Sequence, residues 1–293
     1  MLRTLTACAL LTLATPALAQ DETALREAVA AYAQPSNAER LAVLTGQLEA
    51  AGLNYEIQTF EGGGREPMTG SNVVVTLGEG GRDLLLTAHY DSVVLPSGEL
   101  ADGLVDNAAS TVALIEAARV LSSRDLNHRV QVIFFDQEEL GLIGAQRWIA
   151  ANGTDRVTAV VNSDVAAFGD TLMYGENNGE RSAFVLAALR EECTLRAMTC
   201  VGFPVYPPSD DRAFVAAEVP VVSIGFQNRI GAHQMWLAFN GGRDNGLAEG
   251  FVPEVFQLIH SEGDVLEAVD PATVALAADV YVDLITRLDA AAQ

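Results

Sequence analysis

Val130-Gln131-Val132-Ile133-Phe134-Phe135-Asp136-Gln137-Glu138-Glu139-Leu140-Gly141 passes from a β-branched and aromatic run to two adjacent acids and then to a helical pattern. An apolar run of this kind, bounded by polar residues, reads as a buried strand. In α/β sheets the carboxyl ends of strands are where sites are built, so Glu138 and Glu139 stand where chemistry is placed.

The alternation visible there continues along the chain. Residues 55–60, 72–77, 83–88, 157–163 and 220–224 read as further strands. Helical patterns lie between them, near 22–32 and 37–51, after Asp106 to about Leu121, and over 140–151. A last helix is expected from about Ala272, where Val274, Ala278, Tyr281 and Ile285 form one apolar stripe at helical spacing. Strands interleaved with helices imply an α/β fold of three layers, αβα, with a mostly parallel mixed sheet covered on both faces. No repeat, low-complexity tract or Pro/Ser linker interrupts the pattern, so residues 20–293 are expected to form a single domain. The Gly-rich stretch from Gln227 to Gly250 is expected to be irregular, either a lid over a substrate or a surface insertion.

Four more potential ligands occupy places like that of the paired acids. His89 follows Leu84-Leu85-Leu86 with Asp91 two residues on, and metal-bound histidines usually donate their other ring nitrogen to a carboxylate. Asp106 precedes Asn107-Ala108-Ala109-Ser110 at a helix head, and Asp164 ends Val160-Val161-Asn162-Ser163. Taken alone, each of these acids reads as a cap. His260 is followed by Asp264, which is placed to orient it, whereas His128 and His233 lack such settings and read as surface residues. Together the five do not share a bland explanation. Gathering Asp106, Glu139 and Asp164 without a cation would crowd like charges and force protonation or unfolding. Two divalent ions offset three carboxylates and leave room for a hydroxide, and imidazole with carboxylate suits zinc. Glu138, beside the metals but not needed by them, is then placed as the general base. The pattern implies a two-metal hydrolase.

The order H-x-D, D-N, E-E, D, H from about Asn72 to Asp264 closely resembles the secreted two-zinc aminopeptidases, single-domain metallopeptidases related to the glutaminyl cyclases. The stretches that carry the resemblance are Ala88-His89-Tyr90-Asp91-Ser92, Asp106 to Ser110, Glu138 to Ala145, and Ser209-Asp210-Asp211-Arg212-Ala213-Phe214. It implies two Zn2+ ions per chain, with His89 and Asp164 on one, Glu139 and His260 on the other, and Asp106 bridging. It implies Glu138 as base and then as acid to the leaving amine, with Asp91 orienting His89. Asp210, from the family's S-D-H segment, falls at the edge of the substrate pocket. It further implies a cis peptide bond between Asp106 and Asn107. Three departures stand out: Leu104-Val105 precedes the bridging acid, Asp211 replaces the His of S-D-H, and Ile259 stands in the pocket where some relatives carry a Tyr. None removes a ligand.

The expected activity is that of a zinc-dependent exopeptidase, an aminopeptidase hydrolysing N-terminal residues through a hydroxide held by both metals. A glutaminyl cyclase is the nearest alternative, but such relatives usually carry an insertion after the paired acids and a Trp before the last His. Carboxypeptidase or dipeptidase chemistry of the same fold stays open. Peptidases with an inserted dimerisation domain share the ligand order, yet the 95 residues between Asp164 and His260 leave that domain too little room. A monomer is therefore expected. A secreted metal-binding domain without catalysis would be favoured only if Glu138 were replaced.

The chain opens with Met1-Leu2-Arg3, an apolar stretch from Leu5 to Leu13, and Ala17-Leu18-Ala19, which reads as a signal peptide over residues 1–19. The apolar run is shorter than the roughly 20 residues a spanning helix needs, so no membrane anchor is expected. A secreted or periplasmic location after cleavage near Ala19 follows. Cleavage removes one Arg and no acid, taking the net charge from −22 to −23. Such a surface repels nucleic acid and anionic membrane, so neither is expected as a partner; peptides are the substrates that the resemblance implies. Cys193 and Cys200 are the pair left in an oxidising compartment, which favours a disulfide over two buried thiols.

Overall fold

Runs rich in Val, Ile, Leu and Phe become strands because branched side chains fit the pleat and leave no polar face to solvate. The computed structural model of the chain describes residues 21–63 and 67–291, so the leader read at residues 1–19 lies outside the described residues. Among the described residues there are eight strands: β1 (Tyr55–Gly62), β2 (Met68–Leu77), β3 (Asp83–His89), β4 (Arg129–Phe135), β5 (Val157–Ser163), β6 (Thr171–Gly175), β7 (Cys200–Phe203) and β8 (Val221–Gln227). They form one mixed sheet in the order β1-β2-β4-β3-β5-β8-β6-β7. Its centre, β4-β3-β5-β8, is parallel, while β1, β2 and the β8–β6 pair run antiparallel to their neighbours.

The helices are α1 (Glu22–Ala30), α2 (Asn37–Ala50), α3 (Ala109–Leu121), α4 (Ile143–Asn152), α5 (Ala183–Leu195), α6 (Asp211–Ala216), α7 (Arg229–Asn240), α8 (Val255–Leu258) and α9 (Pro271–Ala291). Alternate strand residues feed two cores. Val73, Val75, Leu84, Leu86 and Phe134 pack with α1, α2, α3, α5 and α9. Val74, Leu85, Ile133 and Phe135 pack with Trp148 of α4 and Phe214 of α6. The chain thus leaves β3 by α3 on one face to reach β4, then crosses by α4 on the other face to reach β5 on the far side of β3. That reversal is a topological switch point, and it opens a crevice at the carboxyl ends of β3, β4 and β5.

Three expectations are corrected. The stretch 227–250 is half helical, because Asn228 caps α7 by accepting from the Gly231 N–H, and Ala232, Met235 and Trp236 give an inward stripe. Glycine content hid that stripe. His128 is not a surface residue: it is buried, with Nδ1 2.9 Å from Asp289 Oδ1 and its main-chain N–H on the same oxygen. The segment between β5 and β8, for which the sequence pattern gives no elements, holds β6 and β7, which are only five and four residues long, with the 13-residue α5 between them.

Cys193 of α5 and Cys200 of β7 are disulfide-bonded. Protein with its leader removed is expected to show no free thiol when denatured without reductant; two thiols by colorimetric counting would contradict the bond. Among the described residues, no helix is long and apolar enough to cross a membrane.

Candidate metal centre

Four of the candidates stand at a strand end or just beyond one, whereas Asp106 precedes α3 and His260 follows α8. His89 is the last residue of β3, Glu138 and Glu139 follow β4, and Asp164 follows β5. Asp106 lies in a tight turn before α3, and its peptide bond to Asn107 is cis. Non-glycine residues with left-handed backbone flank or form this set: Gln137 (φ 59°), Val165 (φ 60°) and His260 (φ 57°). Backbone of this kind persists only where surrounding structure imposes it, and it gathers at sites that need a side chain aimed.

Both histidine rings converge on one carboxylate. His89 Nε2 lies 3.1 Å from Asp106 Oδ1, and His260 Nε2 lies 3.3 Å from Asp106 Oδ2. His89 Nε2 is also 3.9 Å from Asp164 Oδ1, and His260 Nε2 is 3.1 Å from Glu139 Oε2. Ligand atoms fall into two groups, His89–Glu138–Asp164 and Asp106–Glu139–His260, each within 4.8 Å internally. Glu138 therefore sits close enough to be a ligand as well as a base, a choice that spacing in the sequence leaves open.

Supporting contacts hold the set in place. Asp91 Oδ1 is 3.4 Å from His89 Nδ1, and the Asp91 carboxylate accepts the main-chain N–H groups of Glu138 at 3.1 Å and Glu139 at 3.3 Å. One side chain thus ties the end of β3 to the paired acids. Asp264 departs from its expected part. Its oxygens accept the N–H groups of Val105 at 2.5 Å and Asp106 at 3.2 Å, so it steadies the turn that carries Asp106 and not the His260 ring. The reason is geometric, since the chain beyond His260 folds back under that turn. Thr111 Oγ1 and Asn107 add bonds to His89 O and to the β5 end.

The electrostatics are those of acids removed from water. Burial pushes the Glu138 carboxyl up to about 10; His89 opposes this, and the charges of Asp210, Asp164 and Asp106 add to it. Asp106 is also penalised by burial, but the His260 and His89 rings beside it hold it below the ordinary carboxylate range. Bonds to Asp106 and Glu139 raise His260 to about 10. Asp106 Oδ1, Glu139 Oε1 and Asp164 Oδ1 are buried without a hydrogen-bond partner among the described residues. Orphaned carboxylate oxygens facing imidazole nitrogens fit a hard or borderline divalent cation, and the donor set fits zinc.

Beside the centre opens a cavity of about 270 Å3, walled by Val165, Met173, Tyr206, Phe239, Phe256 and Ile259 and floored by Asp106, Glu138, Asp164 and His260. Ile259 is thus a wall residue. Asp210 is not: it lies fully buried, with neither oxygen partnered among the described residues. Its side chain turns into the protein at the start of α6, where burial lifts its carboxyl well above the ordinary range against the pull of His89. Arg40, far upstream in α2, touches the loops of the centre and was not foreseen. Its signal in the sequence was a charged residue on an apolar stripe with Leu44 and Leu48.

Comparison with known proteins adds lineage to this geometry. The profile of peptidase family M28 matches residues 72–285. A probable zinc metalloprotease of Leptosphaeria maculans is 30% identical over 177 residues, covering 58% of this chain and 36% of that protein. The matched stretches span 13% to 36% of the length of the curated relatives. A Zn-dependent exopeptidase from Parabacteroides distasonis superposes with TM-score 0.71 at 17% identity, over 90% of this chain and 97% of that one. A glutaminyl cyclase from Porphyromonas gingivalis superposes with TM-score 0.68 at 17% identity, over 91% of this chain and 96% of that one. At such identity the two structures share the fold.

Proposed function

The chain belongs to peptidase family M28, and from that membership we propose a zinc-dependent exopeptidase, an aminopeptidase that removes N-terminal residues from peptides. The observation that carries the proposal is the placement of His89 and His260 on opposite oxygens of Asp106, the arrangement a carboxylate shared by two cations requires. In this reading His89 and Asp164 would hold one ion, Glu139 and His260 the other, and Asp106 would be shared. Zinc, when bound, supplies Lewis acidity toward the scissile carbonyl and makes water acidic enough to attack near neutral pH.

Glu138 takes one proton from the attacking water as the water oxygen adds to the carbonyl carbon. It returns that proton to the peptide nitrogen as the C–N bond breaks, so the carboxylate is regenerated. Asp91 keeps the Glu138 main chain and the His89 ring in register during both transfers. The first side chain of the substrate enters the apolar cavity. The leader pattern at residues 1–19 supports action outside the cytoplasm.

Leucyl and methionyl anilides are therefore expected to be cleaved at least about 100-fold better, by kcat/KM, than aspartyl or glutamyl anilides, whose charge the cavity would bury unpaired. The same assay tests the activity. N-blocked peptides with free carboxyl ends should be inert, and an N-terminal Gln peptide should lose Gln without forming a cyclic product. Cleavage of the blocked peptides alone would replace the reading with a carboxypeptidase; a cyclic product would replace it with a cyclase.

A further inference from the structure

We infer that Arg40 is a positioning residue for the zinc centre, reaching it from a helix that precedes the stretch matched to the family. Arg40 is fully buried, yet among the described residues its hydrogen bonds go to main-chain carbonyls and none to a carboxylate. Nε donates to Tyr90 O at 2.7 Å, Nη1 to Tyr32 O at 2.9 Å and to Asp102 O at 2.5 Å, and Nη2 to Gly103 O at 3.1 Å. Tyr90 sits between His89 and Asp91. Asp102 and Gly103 begin the turn that ends in Asp106. One rigid guanidinium fork therefore fastens the loop carrying one histidine ligand to the loop carrying the bridging acid.

A second side chain of the same helical turn grips the same place. Asn37 Oδ1 accepts the Ser92 N–H at 2.9 Å, and its Nδ2 donates to Ser92 O at 3.2 Å. Together Asn37 and Arg40 hold the main chain on both sides of Asp91. The loops are also pressed together at Gly103, which is left-handed (φ 59°) and where an added Cβ would strike the Ser92 side chain.

Burying a cation without an adjacent carboxylate is expensive unless charge at longer range offsets it. The Arg40 guanidinium lies over the Tyr32 ring, 5.4 Å from its centroid, and faces the charges of Asp91, Asp264 and Asp106. A buried Leu or Met would fill the stripe position with Leu44 and Leu48 at lower desolvation cost. What the cation adds is the fixed spacing of four carbonyls, which no apolar side chain can hold.

The inference rests on the two-zinc reading of the centre. Zinc affinity of the metal-free protein, measured by chelator competition, tests both and separates them. If the wild-type chain takes up no zinc, the reading of the centre fails. If it binds two ions, Arg40→Met is expected to bind them about 10–100-fold more weakly, the usual effect of losing a group that orients ligands. Arg40→Lys, which can reach some of the carbonyls but lacks the planar fork, should fall between. A role confined to stability would lower the unfolding midpoint and leave the affinity of the folded protein unchanged. The visible spectrum of the cobalt(II)-loaded variants should shift with the affinity, reporting altered ligand geometry. Wild-type affinity in folded Arg40→Met overturns the inference. Where Arg40→Met does not fold, wild-type affinity in Arg40→Lys does so.

Discussion

Glu138→Gln is expected to lower turnover about 10²–10⁴-fold while two zinc ions stay bound, the range usual for removing a general base. Glutamine keeps the size of the side chain and leaves the main-chain bond from residue 138 to Asp91 in place. It cannot take a proton from water. Glu138 floors the cavity where substrate enters, and in the metal-free chain burial first, then the charges of Asp210, Asp164 and Asp106, raise its carboxyl against the pull of His89. Metal analysis decides between the two parts open to it. Zinc content that falls in step with activity would make Glu138 a ligand of the His89–Asp164 group and undo its assignment as base. Glu139→Gln should behave in the opposite order, losing zinc first, because Glu139 faces His260 at 3.1 Å.

Asp106→Asn should be the most damaging change at the centre, with zinc content below two ions per chain and turnover down by at least about 10³-fold. Each carboxylate oxygen of Asp106 faces a different histidine, so each is needed. An amide offers one acceptor and turns an NH2 group toward the other position, where a cation would be repelled. The change is nearly isosteric and the Asp264 bond to the main-chain N–H of residue 106 is kept, so the fold should survive. Circular dichroism checks the fold and elemental analysis the stoichiometry. A folded variant with two zinc ions and wild-type turnover would show that Asp106 does not bridge.

Much of this architecture was legible because it depends on local rules. Strand β4 announced itself by six consecutive residues with no solvated face except Gln131. The last helix was visible in the spacing of Val274, Ala278, Tyr281 and Ile285, all of which are buried. Short elements were not legible. Strands β6 and β7 have five and four residues, too few for a period to show, and they are strands because β8 and each other supply the hydrogen bonds. Helix α7 was masked by glycines at its ends, where a helix tolerates them.

The candidate site divides in the same way. The residues by themselves named His89, Asp106, Glu138, Glu139, Asp164 and His260, because acids and histidines at strand ends, at a helix head and in a late loop share no ordinary use in such number. Which oxygen faces which ring was decided by the switch point, since β3, β4 and β5 are neighbours only after α3 and α4 cross on opposite faces of the sheet. The part of Asp264 was decided by the turn it lies beneath, 158 residues away in sequence from the Asp106 N–H it accepts. Arg40 shows the limit most plainly. A lone Arg on an apolar stripe reads as a solvated or misplaced charge, and no local rule connects it to Tyr90 or Gly103. Sequence by itself determined the elements and the chemical inventory, because backbone propensity and side-chain type act over a few residues. Tertiary structure alone decided how that inventory is held, because hydrogen bonds to carbonyls 50 to 63 residues away exist only once the chain has closed on itself.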